Sequence, residues 1–252
     1  MSALLEIQNL QVVFDGFRAI DGLDFWVDEG EVRFLIGPNG AGKTTLLDAI
    51  TGLTKPAGGT IKFGVKQLLG RPEHEIVKMG IGRTFQTPSV FDQLSVLDNL
   101  DLAASFRLPL RKLLRQRKTS DERVAKALET VGLSERADDL AGVLSHGQKQ
   151  WLEIGMLLVQ DPQLLLLDEP VAGMSKEERV RTGELLEDIA RTRTVVVVEH
   201  DMEFLRRFAR RVTVMHEGKI LCEGSVAEVQ ANSHVQEVYL GRSRDTRGGV
   251  EV

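Results

Sequence analysis

The chain has 252 residues, of which 42% are apolar and 27% charged, with a formal net charge of -5. Such a length buries a substantial core, and the mildly acidic balance excludes a global electrostatic pull toward nucleic acid or anionic membrane. The single cysteine, Cys222, excludes an intramolecular disulfide and a cysteine metal cluster, suits a reducing compartment, and reads as a packing residue rather than a catalytic thiol.

Alternation in Leu5-Glu6-Ile7-Gln8 and in Val12-Val13-Phe14 predicts half-buried strands, with turn signals at Asp15-Gly16 and Glu29-Gly30. The start of the chain shows no basic segment followed by a long apolar one, so no signal peptide is expected. Val32 to Ile36 reads as a strand, Lys43 to Leu53 as a helix ending near Gly52, Gly58-Gly59 as a turn, and Thr60 to Phe63 as a strand. From about 86 to 160 apolar residues recur at three- and four-residue spacing, as in Val96 to Leu102 and Val124 to Val131, which predicts a helical insertion. Leu164 to Leu167 and Val195 to Val198 are continuous apolar runs of the kind that form strands covered on both faces. They fall far short of the roughly 20 residues that span a bilayer, so work at a membrane needs a partner that supplies the spanning helices. Ser175 with Glu178 has capping-box spacing and predicts a helix start, and Asp201 is placed to cap another. Val212 to His216 and Ile220 to Glu223 predict a hairpin turning at Glu217-Gly218. The polar tail from Ser243 is expected to be disordered, and no internal repeat is present.

Three segments carry chemistry. Gly37-Pro38-Asn39-Gly40-Ala41-Gly42-Lys43-Thr44-Thr45 fits G-x-x-x-x-G-K-[ST] at every fixed position, after a predicted strand and before a predicted helix. Its glycines let backbone N–H groups cradle phosphate, aided by the helix N-terminus. Lys43 is the point charge for the β- and γ-phosphates and Thr44 a hydroxyl for Mg²⁺. Asp168 and Glu169 close the four-leucine run: Asp168 is the candidate Mg²⁺ partner, and Glu169 the base that orients and activates water. An acidic loop after a core strand is the plain alternative, and the P-loop argues against it. His200 ends the second buried strand, on the side of a parallel sheet where ligands gather, and can reach a γ-phosphate or a water. Phe14 offers an aromatic face to adenine, or else is a buried strand residue. Arg107, Arg111, Lys112, Arg115, Arg117 and Lys118 form a basic patch that reads first as a solvated face, and second as a contact for lipid headgroups or a membrane subunit.

Between the P-loop and Asp168 stands Leu144-Ser145-His146-Gly147-Gln148, and this order of motifs resembles the ATP-binding subunit of ABC transporters. The likeness covers residues 4 to 241. Within that family, Leu144 to Gly155, Asp168 to Met174, Val198 to Met202 and Val238 to Gly241 are most similar to the branched-chain amino acid and urea importer branch. His146 and Lys149-Gln150-Trp151 look most like the urea-type subunit. The resemblance implies an α/β fold: a P-loop NTPase, RecA-like core with an N-terminal antiparallel β subdomain (1–85 and 161–242), and a helical subdomain (86–160). It also implies ATP and Mg²⁺ as cofactors, with Gln86 touching Mg²⁺ or water. Two such subunits would sandwich ATP head to tail, so that Ser145, Gly147 and Gln148 reach the nucleotide held by the opposite subunit.

The partners implied are transmembrane permease subunits, a second ATP-binding subunit (the same chain or a related one) and, indirectly, a solute-binding protein; no nucleic acid is expected. The segment from Gln86 to Asp101 would pass motion to the permease. Two departures stand out. His146 replaces a glycine of the usual LSGGQ. Ala172-Gly173-Met174-Ser175 stands where many relatives have Ser-Ala-Leu-Asp, which leaves Ser175 as a helix cap. Competing readings are the ATPase of a lipopolysaccharide-type exporter, a soluble ABC ATPase acting on DNA or ribosomes, and a nucleotide-dependent regulator that does not hydrolyse. The absence of a tandem second unit or long coiled coil argues against the soluble ATPase, and the set Lys43, Asp168, Glu169 and His200 against the regulator.

Overall fold

The computed structural model describes residues 3–105 and 122–238. They form two compact units, one of residues 3–76 with 194–238, the other of 77–105 with 122–193. The first unit contains strands β1 (Ala3–Phe14), β2 (Phe17–Asp28), β3 (Val32–Ile36), β4 (Gly58–Phe63) and β5 (Lys66–Gln67), with helix α1 (Lys43–Thr51) between β3 and β4. Helix α2 (Glu73–Met79) carries the chain out of it. The second unit holds β6 (Ile81–Arg83), α3 (Val96–Ser105), α4 (Glu122–Val131), α5 (His146–Leu158), β7 (Leu164–Asp168) and α6 (Lys176–Ala190). The chain then returns through β8 (Thr194–Val198), α7 (Met202–Phe208), β9 (Arg211–His216), β10 (Lys219–Gly224) and α8 (Val226–Ala231).

In the first unit β2, β1, β4 and β5 make an antiparallel sheet in that order. The β1–β2 turn at Asp15 and Gly16 has φ of 48° and 86°, the left-handed pair that suits a tight hairpin. Leu5, Ile7, Leu10 and Val12 are buried from β1, and Ile20, Leu23, Phe25 and Val27 from β2, as period-two patterning requires. Gly58-Gly59, expected as a turn, lies inside β4. A register shift in β1 near Asn9 brings its backbone so close that a Cβ on Gly59 would meet the Leu10 Cα at 2.6 Å. Bare backbone is therefore needed there for the strands to pair.

The other sheet of this unit is mixed, with β3 parallel to both its neighbours β8 and β9: Phe34 pairs with Val197 on one side and Val212 on the other. Val195 to Val198 are at most 1% exposed, which accounts for their unbroken apolar run. β10 pairs antiparallel to β9, the hairpin expected at Glu217-Gly218. Within this sheet Arg33 is fully buried; it donates to Glu31 at 2.7 Å, to Glu223 at 2.8 Å and to Thr213 at 2.8 Å.

The second unit pairs β6 with β7 in parallel, Arg83 opposite Leu166, and packs α5 against α3 and α4. Val96 and Leu100 of α3, Val124 and Leu128 of α4 and Ile154 of α5 are buried, and Trp151 of α5 donates its indole N–H to Thr182 of α6 at 2.9 Å. β5, α2 and β6 carry almost no sequence signal: β6 has three residues, and α2 buries Ile76 alone. The compact units divide at 76/77 and 193/194. The basic patch between Arg107 and Lys118, the Tyr239-Leu240-Gly241 segment and the tail from Ser243 lie outside the described residues. Among the described residues no helix is long and apolar enough to cross a membrane.

Candidate nucleotide-binding elements

Each unit carries a share of the residues singled out in the sequence. In the first, β3 delivers the chain into the loop Gly37 to Gly42, and α1 starts at Lys43 with Gly42 as its N-cap. Gly42 has φ of 98°, and a Cβ there would stand 2.6 Å from the Ala19 carbonyl oxygen, so only glycine fits. A glycine cap has no side chain to occupy the N–H groups of the first turn, and helix geometry provides them no acceptor. They point their partial positive charge along the helix start, which is an anion site. Lys43 is nearly buried, and its ammonium donates to the carbonyls of Gly37 at 2.7 Å and Pro38 at 3.2 Å. Those carbonyls hold the cation inside the loop it serves. Thr44 and Asn39 are exposed, and Thr45 is half-buried.

His200 emerges beside this loop. Leu35 pairs with Val198, and the Glu199 N–H donates to the Leu35 carbonyl at 3.3 Å, so the P-loop and His200 leave neighbouring strand ends. Glu199 is buried, and its carboxylate accepts the His200 N–H at 3.0 Å, which fixes the backbone that presents the exposed imidazole. Asp201 accepts the N–H groups of Glu203 and Phe204, both at 2.9 Å, and caps α7 as expected. Phe14 sits at the end of the β1–β2 hairpin, 47% exposed, opposite Phe17 at 67%. That exposure removes the reading of Phe14 as a buried strand residue. Phe17, a second aromatic face at the same tip, escaped the sequence reading.

The second unit holds Gln86, Ser145, Gly147, Gln148, Asp168 and Glu169. Asp168 ends β7 and is 1% exposed; its Oδ2 lies 3.5 Å from Nη2 of Arg83, and its N–H donates to the Thr84 hydroxyl at 3.2 Å. Thr84 donates its own N–H to the Leu166 carbonyl at 3.0 Å. The strand end that leads to Gln86 is thereby tied to the strand end that carries the acidic pair. Arg83 had no sequence signal as a neighbour of Asp168, because the contact depends on a three-residue strand. Glu169 has φ of 52°, a left-handed backbone that costs a non-glycine residue on the order of 1–3 kcal/mol and recurs at functional positions.

Ser145 is the N-cap of α5, in a capping box with Gln148. Its hydroxyl also donates to Glu178 Oε1 at 3.0 Å. Ser175 caps α6 in a capping box with the same Glu178. The Ser175 N–H, ahead of the Ser145 hydroxyl and the His146 charge, holds the Glu178 carboxyl below its ordinary range. Gly147 packs directly on that carboxylate, and His146 lies over Gly173. The spacing of Ser175 and Glu178 was visible in the sequence; the link to Ser145 was not. Gln148 accepts from Arg136 at 2.8 Å and from the Ser145 N–H at 3.0 Å. Cys222 is half-buried, and burial, with Glu223 beside it, pushes its thiol up, which suits a packing role.

A strand, a glycine-capped P-loop and a helix, together with a strand end that carries Asp168 and Glu169 and a serine-capped signature helix, define an ATP-hydrolysing cassette. Comparison with known proteins agrees. Residues 20–172 match the family model described as ABC transporter, and residues 219–245 match that of the branched-chain amino acid ATP-binding cassette transporter. The chain is 34% identical over 256 residues to the high-affinity branched-chain amino acid transport ATP-binding protein BraF of Pseudomonas aeruginosa, covering 95% of this chain and 98% of that one. A crystal structure of the ADP conformation of an ATP-binding cassette of an ABC transporter superposes with a TM-score of 0.84 at 31% identity, covering 96% of this chain and 100% of that one. A dimeric ATP-binding cassette in a post-hydrolysis state with ADP and Pi has a TM-score of 0.73 at 26% identity, over 88% of this chain and 98% of that one. The chain belongs to the ABC transporter family, with the ABC ATPase cassette fold, and is an ATP-hydrolysing transporter subunit.

Proposed function

We propose that this chain energises the import of branched-chain amino acids or of urea or a related small amide, as a peripheral subunit on the cytoplasmic face of the membrane. The observation that carries the importer reading is the near-full-length likeness to BraF, joined by the match of residues 219–245 to the branched-chain amino acid model. Both favour branched-chain amino acids. The urea reading is carried by His146 and Lys149-Gln150-Trp151 alone.

In this reading residues 37–45 wrap the ATP phosphates, Lys43 neutralises charge on the β- and γ-phosphates, and Phe14 stacks on adenine. Thr44, Asp168 and Gln86 supply the hard oxygen donors that Mg²⁺ takes alongside phosphate, and the exposed Thr44 hydroxyl and the buried Asp168 carboxylate are of that donor type. Mg²⁺, when bound, neutralises phosphate charge. Glu169 takes the proton of the attacking water as general base, and His200 holds the γ-phosphate or that water. Ser145, Gly147 and Gln148 bind the ATP of a second copy or a related subunit, so ATP favours the closed pair and hydrolysis releases it. Transmembrane permease subunits and, through them, a solute-binding protein complete the assembly.

Uptake of labelled leucine and labelled urea, in cells whose only copy carries Lys43→Ala, tests the substrate. Loss of leucine uptake with urea uptake intact assigns the amino acid; the reverse assigns urea. Retention of both overturns the importer reading.

A further inference from the structure

The second unit buries a carboxylate that none of these roles uses. Glu153 lies on α5, the helix that begins after Ser145, and is 5% exposed. Its Oε1 accepts the backbone N–H of Ser89, three residues after Gln86, at 3.1 Å, and the nearby Phe85 N–H pulls on the same carboxyl. At the near end Thr84 is already tied to β7 through the Leu166 carbonyl and the Asp168 N–H.

Burial pushes the Glu153 carboxyl up to about 7 against the pull of the two N–H groups. An apolar side chain would fill this space without that desolvation cost. Charged groups on the packed elements are engaged or turned outward: Lys149 pairs with Asp92 at 2.7 Å, Asp98 accepts from the Ser95 hydroxyl at 2.8 Å, and Lys126 and Glu129 are exposed. What the carboxylate does at this position is accept the Ser89 backbone N–H from the loop that carries Gln86.

We propose that Glu153 is a positioning residue for turnover: by accepting the Ser89 N–H it fixes the Gln86 loop to the helix that begins at Ser145, so that loop and signature move together. The proposal rests on the reading of Gln86 as a group that acts in hydrolysis. The loop is held at Thr84 to the Asp168 strand and at Ser89 to α5. A shift of the signature helix is thus transmitted to Gln86 through one side chain.

Two substitutions separate hydrogen bonding from packing. Glu153→Gln keeps a carbonyl acceptor, whereas Glu153→Leu keeps bulk and removes it; Glu153→Met replaces the leucine variant if that does not fold. Amide hydrogen exchange of the full chain reads the Ser89 amide, and ATP turnover is measured on the same samples. The leucine variant is expected to exchange this amide about tenfold faster or more. Its kcat falls about tenfold, with KM for ATP within about twofold. Glu153→Gln stays within about threefold of the parent in each. Unchanged exchange in the leucine variant, parental kcat in that variant, or a glutamine variant as impaired as the leucine one overturns the proposal. The Gln86 reading fails separately: Gln86→Ala then turns over at the parental rate, and the exchange data alone decide whether Glu153 holds the loop.

Discussion

The two units hold their functional groups in different ways. In the first, the groups we propose for phosphate are the backbone N–H groups at the start of α1 together with Lys43, set by a parallel strand end and by Gly42, where only glycine fits. In the second the groups we propose for nucleotide, Mg²⁺ and water are side chains, and each is held by another side chain: Ser145 by Glu178, the Asp168 strand end by Arg83 and Thr84, and the Gln86 loop by Glu153. A backbone cradle has one arrangement. A hydroxyl that donates to a carboxylate can exchange that acceptor for another anion, at the cost of one hydrogen bond. The first unit is built to bind and the second to change partners, which suits an enzyme in which ATP binding and release of the closed state are separate events.

The contrast predicts where substitution breaks chemistry and where it breaks the fold. The largest effect is expected in the second unit: Glu169→Gln lowers turnover by about 10²–10⁴-fold while ATP affinity stays within a few-fold, checked by phosphate release beside equilibrium nucleotide binding. Loss of affinity in step with turnover would instead place Glu169 among the binding groups. In the first unit the sensitive point is structural. Arg33→Ala leaves Glu31 and Glu223 without their buried partner and is expected to cost about 3 kcal/mol in urea unfolding, more than Arg33→Met, which refills the space.

A third prediction concerns pH. The Glu153 carboxyl is raised from 4.5 to about 7 in the folded chain, so the folded state holds a proton that the unfolded state has lost between those values. Stability from this group is fully present below about 4.5 and is lost as pH rises through about 7. Denaturation midpoints of the parent should therefore decline across that window relative to Glu153→Gln; parallel curves would remove the raised carboxyl. The smallest effect is the cap: Ser175→Ala is expected to cost about 1 kcal/mol, with turnover lowered only through the loosened Glu178, and thermal unfolding reads it.

Much of this molecule was legible in the sequence, for identifiable reasons. Gly37 to Thr45, Leu164 to Glu169 and Val195 to His200 announce themselves because each joins an unbroken apolar strand to a chemically distinctive end. Ser175 and Asp201 were visible as caps because capping depends on neighbours three residues away at most. What stayed hidden depends on contacts between distant segments. Gly58-Gly59 reads as a turn until the irregularity of β1 is known. Arg83 becomes a neighbour of Asp168 only through a strand of three residues, and Glu153 looks like an exposed helix residue until Phe85 and Ser89 are placed against it. The tie between Ser145 and Glu178 likewise joins residues 33 positions apart.

The central claim, that this ATPase drives solute import, is tested most directly by recovering the Glu169→Gln chain from its native membrane in the presence of ATP and identifying what comes with it. The account predicts a pair of permease subunits together with a second ATP-binding subunit, in amounts that fall when ATP is withheld. Recovery of ribosomal or DNA-associated proteins in their place would contradict it.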